Sequence, residues 1–342
     1  LSGDALLKAL LIANEDLLWF GGIGTYIKST TESNLDAGDP ANNTVRVNAM
    51  DVQASVIAEG ANLGLTQLAR LEFESGGGRI NTDAIDNSAG VNMSDYEVNI
   101  KILLSSLQQV GNVKTDTERN QILEDATDAV TDLVLQNNVS QHHIISMDQV
   151  RSKTQPYTIE NTIRTLINEG RLSVIDENIP NSKERDEFYK HQLPIPRPVL
   201  AKCMAYTKLK IKEKIMDSPL FTGNVYHQKF YHYFPVQLQT FLNKKPSIAH
   251  RLKHDIIITQ LTNHAVELFG TSTYERLTFG QRISIDQGLH QLNMIESIFN
   301  FNAQRIAYNS EPNATTNILA LNETSIQCSF VCYLLNIPLT EK

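Results

Sequence analysis

In the first 95 residues, hydrophobic and polar positions alternate in short blocks, a pattern typical of a mixed α/β fold. Short apolar runs predict strands at residues 16–20, 52–58 and 79–85, the first of them buried. Apolar residues at helical spacing predict helices at 5–13, begun by Ser2, and at 66–74, ended by three consecutive glycines. Strand, helix and strand in that order predict a βαβ unit with parallel strands.

Beyond residue 95 the pattern becomes helical, and no strand is predicted between residues 95 and 310. The predicted helices span residues 96–110, 117–137, 158–169, 199–216, 231–242, 251–269 and 283–306. A polar stretch at 29–48 predicts a long surface loop. We therefore expect an α/β plus α chain. Residues 1–95 would form part of a doubly wound, Rossmann-like parallel sheet, 96–308 a helical region, and 309–342 a tail whose structure the sequence does not predict.

Composition narrows the kinds of partner. The 342 residues are enough for two domains, and the net charge of −8 argues against nucleic acid or an anionic membrane surface as a partner. No apolar run is long enough to cross a bilayer. Three sparse cysteines give no disulfide framework, which predicts a reducing cytoplasm. Because the sequence begins with Leu1 and not with Met, we expect it to be a piece of a longer protein.

Small-residue turns follow each of the predicted strands. The first strand runs into Gly21-Gly22-Ile23-Gly24, the second into Glu59-Gly60-Ala61-Asn62, and the third into Asn87-Ser88-Ala89-Gly90-Val91 with Ser94 beyond it. In open α/β sheets, ligands bind outside the carboxyl ends of the strands, so the second and third turns are predicted to form two walls of one polar crevice.

Structural alternatives exist for each turn. The first is not the dinucleotide fingerprint, because Ile27 stands where GxGxxG needs a glycine, and it could simply be a tight turn. Asn62 could cap the next helix, as Thr66 equally could, and Ser94 could cap the helix that follows it. Asp83 and Asp86 could be a solvated pair or could assist a substrate amine.

Two histidines, His250 and His254, have helical spacing in the sequence HRLKH. A zinc-protease motif would need a glutamate beside the first histidine, so we predict that they lie on a solvated helical face. No metal site is predicted.

The turn sequences EGAN at 59–62 and NSAGVNMS at 87–94 resemble those of the glutamate dehydrogenases, most closely the large NAD-specific bacterial class. The similarity continues through DLLWFGGIGTYIK at 16–28 and DIIITQL at 255–261, and it covers residues 1–305. One departure is that Ser88-Ala89 replaces the family's alanine-glycine pair.

The resemblance implies a role for each turn. The residues implied to bind NAD are Gly22, Gly24, Asn62 and Asn87, and those implied to bind substrate are Gly90, Val91 and Ser94. Val91 would contact the methylene groups of glutamate, and Ser94 would donate to its distal carboxylate, which a hydroxyl at a helix start beside free backbone N–H groups would suit. The implied reaction is NAD-dependent oxidative deamination of L-glutamate to 2-oxoglutarate and ammonia.

The same resemblance places the catalytic lysines, the acidic proton-transfer residue and the phosphate-binding loop in an upstream part of the enzyme. No catalytic residue is therefore assigned here, and we expect the isolated chain to be inactive without that upstream partner. A homo-oligomer is also expected. A non-catalytic remnant or helical interaction module is the alternative, and a dehydrogenase for another amino acid is a third reading, although Ser94 suits a substrate with a side-chain carboxylate better than an apolar one.

Overall fold

A computed structural model describes residues 2–244, 248–278, 282–301, 303, 320, 322–324, 327 and 328. The chain forms two compact units: unit 1 comprises Leu1–Ser88 with Asp148–Cys203, and unit 2 comprises Ala89–Met147 with Met204–Lys342. The predicted tail at 309–342 lies almost wholly outside the described residues.

Helices dominate the described residues, and two small parallel sheets accompany them. In chain order the elements are α1 (Gly3–Leu11), β1 (Leu17–Phe20), β2 (Ile27–Lys28), β3 (Val47–Asn48), β4 (Val56–Glu59), α2 (Gln67–Ser75), α3 (Asp83–Asp86), α4 (Ser88–Gln109), α5 (Asp116–Thr154), α6 (Pro156–Asn168), α7 (Ser182–Lys190), α8 (Arg197–Ile215), α9 (His227–Tyr233), α10 (Val236–Lys244), α11 (Lys253–Phe269), α12 (Thr273–Thr278) and α13 (Ile285–Phe299). This mostly helical architecture with parallel strands near its start is compatible with the predicted α/β plus α chain.

Unit 1 contains two small parallel sheets of two strands each. β1 pairs with β4 in a register that runs from Leu17 opposite Val56 to Phe20 opposite Glu59, and β2 pairs with β3. Phe20 and the fully buried Ile27 belong to its core, with Leu11, Ala49, Ile57, Leu65, Ala69, Phe73 and Ile80. The prediction that β1 is a buried strand is wrong for one of its faces: Trp19 is 67% exposed, because only the opposite face of the strand packs on this core.

The first two predicted helices are confirmed with their caps. The Ser2 hydroxyl accepts the N–H of Ala5 at the start of α1, and the Thr66 hydroxyl accepts the N–H of Ala69 at the start of α2. Side-chain oxygens at this position satisfy N–H groups that have no partner within the helix. The polar caps thus determine where both helices begin.

The predicted strand at 79–85 is wrong beyond its first residue. The Arg79 N–H donates to the Ser55 carbonyl at 3.1 Å, and the Arg79 carbonyl accepts the N–H of Ile57 at 3.0 Å. These two bonds make one parallel bridge. The chain then turns into α3, because the carboxylate of Asp86 accepts hydrogen bonds from Glu59 and Asn81. The parallel direction of the predicted βαβ unit is right, but its last strand is a single bridge.

The segment 29–48 is not a simple surface loop. Arg46 is buried, and its guanidinium donates to the Thr25 carbonyl at 2.8 Å and to the Asn34 side chain at 3.0 Å. Further hydrogen bonds run to the Asn43 side chain and the Asp39 carbonyl. The segment therefore folds around one charged side chain whose hydrogen bonds are made mostly with loop oxygens.

Several helix boundaries differ from the predictions. α4 begins eight residues before the predicted start, α5 extends to Thr154, and α7 was not predicted. The predicted helix at 231–242 is two helices, because Pro235 lacks the N–H that a continuous helix would need there. Between residues 95 and 301, the described segments contain no strand, as expected.

Within unit 2, α11 is the central helix and packs against α9, α12 and α13. Its buried residues are Ile256, Ile257, Ile258, Leu261, Thr262, Ala265, Val266, Leu268 and Phe269. An apolar surface that wraps most of a helix is typical of one surrounded by other helices. Among the helices that the structure describes, none combines the length and apolar character needed to span a membrane.

Candidate functional site

The turns after β1 and β4 lie side by side in unit 1. Phe20 and Glu59, the last residues of the two strands, are register partners, so both turns begin at the same edge of the sheet. The N–H groups of Tyr26 and Ile27 donate to the Gly64 carbonyl, at 2.9 and 3.2 Å. The parallel pairing thus joins two turns that are separated by almost 40 residues in the sequence.

Two of the glycines in the first turn differ in their surroundings. Gly22 is exposed, and no atom lies within 4 Å of the position that a Cβ would take, so a ligand could approach its backbone closely. Gly24 is buried with φ +146°, and a Cβ there would lie 2.7 Å from Nδ2 of Asn42. Of the two glycines implied to bind the cofactor, Gly22 is open and Gly24 shapes the turn.

Gly60, in the second turn, lies against an aromatic ring. A Cβ at this position would be 2.2 Å from Nε1 of Trp19, so only glycine allows the indole to pack on the turn. Trp19 remains largely exposed and therefore forms part of the surface beside the strand ends.

A buried ion pair lies beneath the second turn. The guanidinium of Arg70 donates to both carboxylate oxygens of Glu59, at 2.7 and 2.8 Å, and lies 3.4 Å from the carboxylate of Asp83. Burial raises the pKa of Glu59, although the hydrogen bonds and charge of Arg70 oppose this. Burial acts to lower the pKa of Arg70, but Glu59 outweighs it and the pKa is raised. Arg70 therefore remains a cation.

Three carboxylates hold the backbone of residues 59–65. Asp86 accepts the N–H of Glu59 at 3.0 Å, and Asp83 accepts the N–H of Leu63 at 3.0 Å. Glu59 itself accepts the N–H of Leu65 at 3.2 Å. Leu63 has φ +67°, a conformation unfavourable for a leucine, which these contacts stabilise. Asp83 and Asp86, for which the sequence allowed two roles, both hold this backbone.

The second and third turns meet through their asparagines. Nδ2 of Asn87 donates to Oδ1 of Asn62 at 2.7 Å, and Asn62 is exposed. Asn62 does not cap the following helix, because Thr66 does. The two turns expected to face one crevice therefore touch at the two residues implied to contact the cofactor.

The residues implied to bind substrate lie in unit 2, in the first two turns of α4. Because the helix begins at Ser88, the expectation that Ser94 lies at a helix start, as a cap or beside free N–H groups, is wrong. The Ser94 hydroxyl instead donates to the Gly90 carbonyl at 3.4 Å. Gly90, Val91 and Ser94 share one helix face by their three- and four-residue spacing, and all three are exposed.

Sequence reasoning missed a second polar cluster in unit 1, which is partly buried. Glu74 accepts hydrogen bonds from the backbone N–H of Arg197 at 2.9 Å and from Nε2 of Gln149 at 3.1 Å. The side chain of Arg197 donates to Asn81 at 2.8 Å. Burial raises the pKa of Glu74 to about 7. Arg197 follows Glu74 by 123 residues, so no local pattern could have indicated this contact.

The predicted solvated face at HRLKH is wrong. His250 is buried, precedes α11, and has Nε2 3.1 Å from the Asn99 carbonyl oxygen. Nε2 of His254 lies 2.7 Å from the Met216 carbonyl oxygen. Aromatic contacts of His250 with Phe230 and Phe234 explain its burial, which a polar residue spacing could not indicate.

The fold of unit 1 is of the α/β class, with turns of glycine and asparagine at the carboxyl ends of β1 and β4. In open α/β sheets, ligands bind at such strand ends. Residues 1–148 match the family described as bacterial NAD-glutamate dehydrogenase, catalytic domain, and residues 192–311 match glutamate dehydrogenase, C-terminal. The chain belongs to the bacterial NAD-glutamate dehydrogenase family.

Three relatives are each named NAD-specific glutamate dehydrogenase. The protein from Mycobacterium tuberculosis is 41% identical over 85% of this chain, that from Pseudomonas aeruginosa 38% over 86%, and that from Halomonas elongata 35% over 81%. The chain spans 18%, 18% and 17% of the lengths of these relatives, in that order.

Proposed function

We propose that this chain supplies cofactor- and substrate-contacting residues to an NAD-dependent glutamate dehydrogenase that converts L-glutamate to 2-oxoglutarate and ammonia. The observation that carries the proposal is the contact of Asn62 with Asn87 at the carboxyl edge of parallel strands. Family membership supports the reaction, since the relatives are named for it. We place the dinucleotide-binding domain, a partial Rossmann-like doubly wound sheet, at residues 1–95, and the helical region at 96–308.

The residues of unit 1 fit a dinucleotide. Gly22 leaves its backbone open, and the absence of a Cβ at Gly60 brings the indole of Trp19 against the second turn. Amide side chains at Asn62 and Asn87 offer both donors and acceptors for ribose hydroxyls or a carboxamide. NAD, when bound, supplies the acceptor for the hydride removed from the α-carbon of glutamate. In this proposal Gly22, Asn62 and Asn87 contact NAD, and Gly24 keeps the first turn in shape.

The residues of unit 2 fit a dicarboxylic amino acid. Val91 presents an exposed apolar side chain that would contact the methylene groups of glutamate, and the exposed Ser94 hydroxyl would donate to its distal carboxylate. The bond from Ser94 to Gly90 is long at 3.4 Å, so exchanging it for a charge-assisted bond costs little. Gly90 is also exposed and adds no side chain to this face.

The described residues of this chain bind and orient, and we assign none of them the role of catalytic acid or base. The proposal therefore includes a further part of the same enzyme that transfers protons, and it places the whole enzyme in the cytoplasm as a homo-oligomer. The purified chain alone is expected to form no NADH from glutamate.

The test uses the enzyme that contains this chain, with Ser94→Ala and the matched control Ser105→Ala. Ser105 lies on the same helix, is also exposed, and also donates to the carbonyl four residues earlier. A hydrogen bond to a charged group contributes about 1.5–3 kcal/mol, so Ser94→Ala should raise the KM for glutamate about 10- to 100-fold. The control should leave it unchanged.

NADH formation measured against glutamate and against NAD separates the two subsites. The KM for NAD should not change in Ser94→Ala. Equal glutamate KM values in Ser94→Ala and Ser105→Ala would contradict the substrate assignment. No activity from the folded wild-type enzyme would contradict the reaction and favour a non-catalytic interaction module.

A further inference from the structure

The geometry points to Arg70 as a positioning residue that, through Glu59 and Asp83, fixes the turn carrying Asn62. This assignment rests on the proposed function for its consequence on NAD binding. Arg70 lies on α2, beneath the turn, and is almost fully buried, so it acts on a ligand only through other residues.

The residues that hold the turn form one connected set. Glu59 accepts the N–H of Leu65, and Asp83 accepts the N–H of Leu63, on either side of Gly64. Arg70 contacts both of these carboxylates, with a two-point contact to Glu59. Because Asn62 directly precedes Leu63, moving either carboxylate moves Asn62 and its contact with Asn87.

The positive charge of Arg70 keeps this arrangement possible. The Glu59 side chain has no exposed area, and an isolated carboxylate in such a place takes up a proton. The charged groups that face Glu59 are Arg70 from α2 and Asp83 and Asp86 from α3; the charge of Asp83 opposes ionisation of Glu59. Removing the cation leaves two neighbouring carboxylates without their common partner.

The chain contains its own reporter of the turn. Trp19 is the only tryptophan, and its indole lies where a Cβ of Gly60 would be. Its fluorescence therefore reports the position of the turn without any ligand and without any activity. This separates the positioning role from the proposed reaction.

The experiment compares Arg70→Gln with Arg185→Gln. Arg185 is also buried and forms the same two-point contact with a carboxylate, that of the partly buried Glu160, at 2.8 and 2.9 Å, so each variant removes a buried guanidinium of unit 1 from its ion pair. Arg185 also donates to the Pro180 carbonyl at 2.6 Å, and neither Glu160 nor Pro180 belongs to the turns. Arg70→Lys, which keeps the charge but not the fork geometry, is the conservative variant.

Trp19 emission is measured in the 342-residue chain between pH 5 and 9. In Arg70→Gln, the emission maximum should shift as pH falls, because Glu59 becomes protonated and releases the turn. Wild type, Arg70→Lys and Arg185→Gln should show the same, nearly constant emission. A Trp19 response of Arg70→Gln identical to that of Arg185→Gln would overturn the assignment.

NAD dependence is measured in the enzyme that contains this chain. Misplacing a binding group by about 1 Å can cost up to about 100-fold, so Arg70→Gln should raise the KM for NAD at least about 10-fold, more at low pH than at high pH. Arg70→Lys should restore most of the wild-type value. Equal NAD KM values for Arg70→Gln and Arg185→Gln in an active enzyme would overturn the role.

Asp83→Ala keeps the assignment testable if Arg70→Gln does not fold. This variant removes the acceptor of the Leu63 N–H and the second partner of Arg70, and leaves the Glu59 ion pair intact. A rise of a few fold in the KM for NAD with altered Trp19 emission is expected, and wild-type values for both would overturn the assignment. An inactive wild-type enzyme with the expected Trp19 responses would contradict the proposed function and leave the positioning of the turn supported.

Discussion

Glu74 should make the stability of unit 1 depend on pH near neutrality. Its carboxylate accepts hydrogen bonds from the Arg197 backbone and from Gln149, but burial is the larger influence and raises its pKa from 4.5 to about 7. The folded protein therefore binds a proton that the unfolded chain has already released at pH 6. Stability gained from this proton is complete below pH 4.5 and is lost as pH rises through 7.

The interval between 4.5 and about 7 sets the magnitude. At 1.36 kcal/mol per pH unit, it corresponds to about 3 kcal/mol of unfolding free energy, most of it lost between pH 5 and 8. Glu74→Gln keeps an acceptor oxygen for the Arg197 N–H and cannot titrate. The unfolding free energy of wild type, taken relative to that of Glu74→Gln, should therefore fall by most of this ~3 kcal/mol between pH 5 and 8.

Urea unfolding followed by Trp19 fluorescence is the assay, because this only tryptophan lies in the same unit as Glu74. Glu187→Gln is the control: it removes the same charge from an exposed side chain of unit 1. Its unfolding free energy should follow wild type at every pH. A pH-independent difference between wild type and Glu74→Gln would refute the argument that burial holds the proton.

Two further predictions concern single contacts. Gly60→Ala places a Cβ 2.2 Å from the Trp19 indole, so it should shift Trp19 emission and raise the KM for NAD. The control Gly223→Ala, where no atom lies within 4 Å of the new Cβ, should change neither. Unchanged emission in Gly60→Ala would contradict the packing of the indole on the turn. Tyr233→Phe removes the hydrogen bonds of the Tyr233 hydroxyl with Asp95 at 2.7 Å and Asn99 at 2.9 Å. Thermal or urea unfolding should show that the free energy of unfolding falls by about 1–3 kcal/mol, and Tyr231→Phe is the control. Equal stability of the two variants would contradict this prediction.

Local signals explain the parts of the fold that the sequence predicted well. Ser2 and Thr66 cap their helices through hydrogen bonds that span three residues, so neighbouring residues alone determine them. The strand predicted at 79–85 fails because carboxylates in it and directly after it accept hydrogen bonds from distant backbone: Asp83 from Leu63, 20 residues away, and Asp86 from Glu59, 27 residues away. Likewise Arg46 is buried by partners from the segment 25–43, in a stretch whose composition is that of an exposed loop.

The candidate site also has a part that local sequence patterns indicate and a part that depends on residues distant in the sequence. Strand-end turns could be recognised from the sequence, and the structure brings Asn62 and Asn87 together. The residues that hold these turns could not be recognised, because Arg70 has no local feature that distinguishes it from a surface arginine on an amphipathic helix. Its importance arises from Glu59, eleven residues earlier, and Asp83, thirteen residues later.

Hydrogen exchange in the enzyme that contains this chain tests the central claim most directly. Backbone exchange is compared with and without NAD and 2-oxoglutarate. We expect slower exchange at residues 59–65 and 83–95, where the turns and the first turns of α4 lie, and no change at residues 285–295 of unit 2, which belong to α13. Ligand-induced protection confined to other parts of the chain would contradict the assignment of these turns as the ligand site.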